Sequence, residues 1–198
     1  MNLPNKLTVL RVLLVPIFVF FLMAEFVPHN ILIALLVFVI ASITDFYDGM
    51  IARRDNLISD FGKFADPLAD KILVMSALIC FASLGTVNVW FVILIMFREF
   101  AVTSVRLVAA GNGKVIAANM LGKIKTVSQI VAIIAVLIFA YIEYILAVYF
   151  TRFWLENLYI ADLSFVLCQI FMAVATFFSL YSGYVYVKEN WDSIKQMK

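Results

Sequence analysis

Residues 31–53 read ILIALLVFVIASITDFYDGMIAR, a run with no charge through Thr44 that then carries Asp45, Asp48 and Arg53. The apolar run predicts one helix able to enter a membrane, and Asp45 and Asp48 fall in that helix's last turns. A carboxylate facing lipid at mid-bilayer costs about 2.5–3.5 kcal/mol. The end of this helix must therefore face a polar cavity, another charged group or a cation.

The rest of the chain extends the same pattern. Of 198 residues 65% are apolar and 14% charged, with a mean hydropathy of +1.05. A soluble domain has roughly 45–50% apolar and about 25% charged residues. Windows of about 20 apolar residues, the length that crosses a bilayer as a helix, recur six times in the sequence. They lie near 8–27, 31–50, 65–85, 88–109, 124–147 and 162–186. The expectation is an all-α integral membrane protein: six transmembrane helices in a single domain over 1–198, with a short N-terminal interfacial segment. The first span is read as retained, because Met23-Ala24-Glu25 makes a poor signal-cleavage site. Of the 15 Lys and Arg residues, 14 fall on one side of these spans and only Arg152 on the other. The positive-inside rule then predicts cytoplasmic termini. Cys80 and Cys168 lie in apolar stretches and read as small core residues, and the single His29 argues against a His-based metal site or a Ser-His-Asp triad. No nucleic-acid partner is expected.

Six of the 13 acidic residues crowd into positions 45 to 70. On a helix Asp45 and Asp48 share a face with Gly49 and Ala52, and Gly62, Asp66 and Asp70 recur every four residues on the next. Two helices thus each offer a carboxylate pair beside small residues. Four converging carboxylates repel unless a divalent cation sits among them, and oxygen ligation suits Mg²⁺ or Mn²⁺, with room for two ions. A carboxylate-held pair of metals suits phosphoryl transfer. Gly49, Ala52 and Gly62 leave space for a phosphate-bearing ligand against the backbone; the same residues also serve as close-packing positions between membrane helices. Asp55 and Asp60 read as solvated charges or a helix cap, and Pro67 as lying at or within the first turn of the third helix.

The stretch Asp45-Phe46-Tyr47-Asp48-Gly49-Met50-Ile51-Ala52-Arg53, followed by Gly62, Asp66 and Asp70, resembles the signature DxxDGxxAR(x)8GxxxDxxxD of the CDP-alcohol phosphotransferases, matching all eight fixed positions. The resemblance implies the family's six-helix membrane fold, homodimers, and transfer of a phosphoryl group from a CDP-linked donor to an alcohol with release of CMP and a divalent metal. It implies that Asp45, Asp48 and Asp66 are metal ligands, and that Asp70 shares the metal and acts as general base. Gly49, Ala52, Arg53 and Gly62 resemble the nucleotide-binding positions. Asn5 and Thr8, in the opening Pro4–Arg11 segment, either touch the nucleotide or serve as a cap and turn before the first span.

The acceptor is read from the second half. Arg98 and Arg106, eight residues apart, project on nearly one face of the fourth span, and Lys123 and Lys125 open the fifth. Glu99 suggests a polar interior there. Cations near a carboxylate site imply an anionic acceptor, although Arg106 and the lysines could also snorkel to the membrane surface. Phe97–Arg106 and Leu121–Thr126 resemble the branch of the family whose acceptor is sn-glycerol 3-phosphate. That implies CDP-diacylglycerol as donor, with some of Arg98, Arg106, Lys123 and Lys125 holding the acceptor phosphate. An inositol phosphate or other alcohol acceptor stays open. So does a cation or proton transporter, although such a path calls for ionisable groups towards both faces, and those of the opposite side form no motif.

Overall fold

The computed structural model describes residues 3–54, 60–111, 120–157 and 159–191; within its helices the side chains of residues 3–7, 45–54, 60–68, 70, 108, 110, 111 and 156 are outside the described set. Every regular element among the described residues is an α-helix. The order is α1 (Leu3–Met23), α2 (Asn30–Arg54), α3 (Asp60–Ser83), α4 (Val89–Gly111), α5 (Met120–Tyr149), α6 (Thr151–Glu156) and α7 (Tyr159–Glu189). By length and composition α5 and α7 are able to cross a membrane, and the shorter apolar stretches Thr8–Met23, Asn30–Thr44 and Lys71–Ser83 lie in α1, α2 and α3.

Three local features differ from the sequence expectation. The opening segment is not separate: α1 is helical from Leu3 onward, as Pro4 permits because a proline in the first turn forfeits an amide that has no intrahelical partner. Helix α3 starts at Asp60, so Pro67 falls beyond its first turn. The expected connection after α5 contains the one-and-a-half-turn helix α6, too short for a span-length window to register.

Helix α1 packs on α2 and α3, α5 on α7 and α2, and α4 on α7. The core joins Phe18, Phe38, Leu78, Phe81, Ile95, Ile133, Leu137 and Met172. Large apolar side chains such as Leu13, Phe20, Phe97, Leu107, Val127 and Phe177 stand exposed on the outside. That inversion fits a lipid surround rather than water.

The two ends of the bundle differ in chemistry. At one, α3 closes on Gly85, whose φ of +72° suits a residue without a β-carbon. Thr86 N donates to Phe81 O (3.1 Å) and Gly85 N to Ala82 O (3.2 Å), the paired bonds of a Schellman cap. Gln169 of α7 clamps this turn: its Nε2 donates to Thr86 O, and Asn88 N donates to its Oε1, both at 3.0 Å. At the same end His29 (φ 56°) has Tyr141 Oη 3.1 Å from Nδ1 and Tyr149 Oη 3.1 Å from Nε2, while its backbone N donates to Tyr144 Oη at 3.2 Å. The opposite end gathers the buried ionic groups, Arg11, Glu99 and Lys125.

Candidate active site

The ionic end is built from the first turns of α1 and α5, the start of α3 and the last turns of α2, α4 and α7. Phe18 of α1 meets Phe38 of α2 with ring centroids 5.6 Å apart. Seven residues back along α1 from Phe18, about 10 Å along the helix, stands Arg11, with Thr8 a further turn towards this end. Thr8 and Arg11 are both only 1% exposed. A guanidinium is seldom fully buried unless it serves a charge or a ligand. Arg11 reads in the sequence as one more basic residue near a span end; only packing reveals its burial.

On α4, Arg98 and Glu99 turn inward, each side chain 10% exposed. Arg98 reaches across to α7: Nε donates to Ser179 O (3.0 Å) and NH2 to Ser182 Oγ (2.7 Å), while NH1 donates to Glu99 Oε1 (2.8 Å). Ser182 Oγ in turn donates to Ser179 O (3.0 Å). Gly183 lies against the Arg98 stem. From α5, Lys125 Nζ approaches the same Glu99 Oε1 at 2.5 Å. One carboxylate therefore holds two cations.

A second thread joins α3. Lys71, the residue after Asp70, donates to Thr103 Oγ1, and Thr103 Oγ1 donates to Glu99 O at 2.7 Å. One turn beyond, Arg106 is exposed, with Cζ 5.7 Å from the centre of the Tyr186 ring, within the range of a cation–π contact. The Tyr186 hydroxyl is buried without a hydrogen-bond partner among the described residues. Lys123 is exposed.

The sequence-expected residues thus divide. Arg98 and Arg106 both meet α7, as their shared face predicts. Lys125 joins Arg98 on Glu99, while Lys123, two residues away, faces outward. The side chains of Asn5, Asp45, Asp48, Gly49, Ala52, Arg53, Gly62, Asp66 and Asp70 lie outside the described residues; their positions fall in α1, α2 and α3. Among the described residues no three His, Cys, Asp or Glu side chains gather as a metal cluster.

Comparison with known proteins places this architecture. Residues 1–181 match the family model of the CDP-alcohol phosphatidyltransferases. A Bacillus subtilis CDP-diacylglycerol–glycerol-3-phosphate 3-phosphatidyltransferase is 43% identical over 98% of this chain and 97% of its own. A probable phosphatidylglycerophosphate synthase of Mycobacterium tuberculosis is 43% identical over 67% of this chain and 64% of its own. A Yersinia enterocolitica protein with the same name as the Bacillus one is 32% identical over 98% of this chain and 97% of its own. With the family model covering most of its length, the chain belongs to the CDP-alcohol phosphatidyltransferase family.

Proposed function

We propose that this protein transfers the phosphatidyl group of CDP-diacylglycerol to sn-glycerol 3-phosphate, giving phosphatidylglycerol phosphate and CMP. The observation that carries this reading is the near full-length likeness to a relative named for that reaction; the cations gathered at one end of the bundle support the choice of an anionic acceptor.

Asp45, Asp48, Asp66 and Asp70 would hold the divalent metal, Mg²⁺ or Mn²⁺, as one or two ions. Hard carboxylate oxygens fit such ions. When bound, the metal supplies charge neutralisation at the donor's phosphate oxygens. Gly49, Ala52, Arg53 and Gly62 bind the cytidine diphosphate, with Asn5 and Thr8 beside it. Asp70 takes the proton of the acceptor's 1-hydroxyl as that oxygen bonds to the β-phosphorus. The bond from this phosphorus to the oxygen bridging it to CMP then breaks, and CMP departs with that oxygen. Of the four basic residues, Arg106 and Lys123, both exposed, take the acceptor phosphate. Arg98 and Lys125, engaged with Glu99, supply positive field behind them.

The proposed setting is one multi-pass domain of six spans in the cell membrane, dimeric with a second copy, with the termini and the ionic end in the cytoplasm. The test is CMP release by the purified protein in detergent with CDP-diacylglycerol and Mg²⁺ or Mn²⁺, offered separately glycerol 3-phosphate, inositol phosphate, inositol, serine or nothing. Release that requires glycerol 3-phosphate and stops with EDTA is expected. Release driven by another acceptor overturns the acceptor assignment, and no release with any acceptor overturns the enzyme reading.

A further inference from the structure

Glu99 is the one acidic side chain described at the ionic end that is buried among cations, and it contacts elements well beyond its own helix. Through Arg98 it is linked to Ser179 and Ser182 of α7, through Lys125 to α5, and through its backbone carbonyl and Thr103 to Lys71 of α3. Four helices thus meet on one residue. Buried ion pairs contribute little net stability, and an apolar replacement of similar volume is often as good. A buried carboxylate with two cations is a poor way merely to glue helices together.

Its position along α4 suggests a different use. Glu99, Thr103 and Arg106 follow one another at i, i+4 and i+7, a single face running from the buried interior to the exposed end. On α5, Lys125 is buried against Glu99 while Lys123, two residues away, is exposed on another face. Binding Arg98 and Lys125 to Glu99 ties α4 to α7 and α5, and Arg106 at the end of the same α4 face is set by that arrangement. The Lys71–Thr103 bond ties the same unit to the turn of α3 that carries residue 70.

We infer that Glu99 is a positioning residue: by binding Arg98 and Lys125 together it holds α4, and with it Arg106 at the exposed end of the same face, in register with the carboxylate-bearing start of α3, so that Arg106 meets the acceptor's phosphate. This rests on the acceptor reading above. Glu99 touches no reacting atom; it acts through the helices it joins.

The test uses the full-length protein in detergent. In Glu99→Gln, the KM for glycerol 3-phosphate should rise tenfold or more, the KM for CDP-diacylglycerol should change less than twofold, and Glu99→Asp should recover part of the loss. Equal losses for both substrates, or an unchanged acceptor KM, overturn the proposal. Because Glu99→Gln leaves two cations uncompensated and can impair folding, the double variant Glu99→Gln/Lys125→Gln serves as control. It should melt closer to wild type while its acceptor KM stays raised; an acceptor KM restored to wild type overturns the proposal. Thermal shift with inorganic phosphate provides a readout that needs no turnover. Phosphate should raise the wild-type Tm, and Glu99→Gln should need about ten times more for the same rise; identical titrations overturn the proposal. Wild-type release with a different phosphorylated acceptor would overturn the acceptor assignment alone, since the KM comparison is then read with that acceptor.

Discussion

Gly183 of α7 lies so close to Arg98 of α4 that a β-carbon at residue 183 would stand 2.8 Å from Arg98 Cγ and 3.2 Å from Nε. Arg98 cannot easily yield, because its head is held by Ser179, Ser182 and Glu99. In an ordinary helix interior, alanine in place of glycine stabilises by roughly 0.5–1 kcal/mol. Here overpacking should win, at about 1–3 kcal/mol. Gly183→Ala should therefore lower the Tm measured in detergent, and a raised Tm would show that α4 and α7 can part without loss.

Asp70→Asn removes the proposed proton acceptor while keeping the side chain's size. Turnover should fall to background, whereas binding of CDP-diacylglycerol, followed by calorimetry or by protection against heating, should weaken only slightly. Normal turnover in this variant would rule out the general-base role.

Arg106→Ala and Lys123→Ala should each raise the KM for glycerol 3-phosphate about ten- to a hundredfold, since a hydrogen bond to a charged group contributes about 1.5–3 kcal/mol. Wild-type acceptor KM should also rise with salt, because exposed charges are screened within about 8 Å at physiological ionic strength. Steady-state kinetics at two salt concentrations reads both effects. A KM insensitive to Arg106 and Lys123 would move the phosphate site elsewhere.

His29→Ala removes the imidazole that sits between the hydroxyls of Tyr141 and Tyr149, at the far end from the Arg98–Glu99–Lys125 cluster. Two neutral hydrogen bonds contribute about 0.5–1.5 kcal/mol each. The Tm should fall while both KM values stay as in wild type. A change in acceptor KM would reveal coupling along the bundle.

The helices were legible in the sequence because each carries a long apolar stretch, and the six long ones overlap the six expected windows. The short α6 was not, since six residues give no span-length signal. The carboxylate repeat was legible as spacing on two helices. What the spacing could not reveal is what stands opposite a side chain. Arg98 and Lys125 read as cations open to a substrate until α7 and α5 are packed beside Glu99. Arg11 is similar: charge counts orient it, but only its contact with neighbouring helices buries it. Periodicity assigns a residue to a face, and tertiary packing decides which partner that face meets.

Helix α7 has 31 residues, about 46 Å at ~1.5 Å per residue, against a hydrocarbon core about 30 Å thick. If it crosses the bilayer, roughly a third of it lies outside the oily layer, and the stretch from Ser179 to Tyr186 that meets Arg98 and Arg106 belongs to its final turns. The charged pocket would then sit at a phase boundary. A donor whose acyl chains never leave the lipid can meet there an acceptor that never leaves the water, and the product is formed already anchored in the lipid.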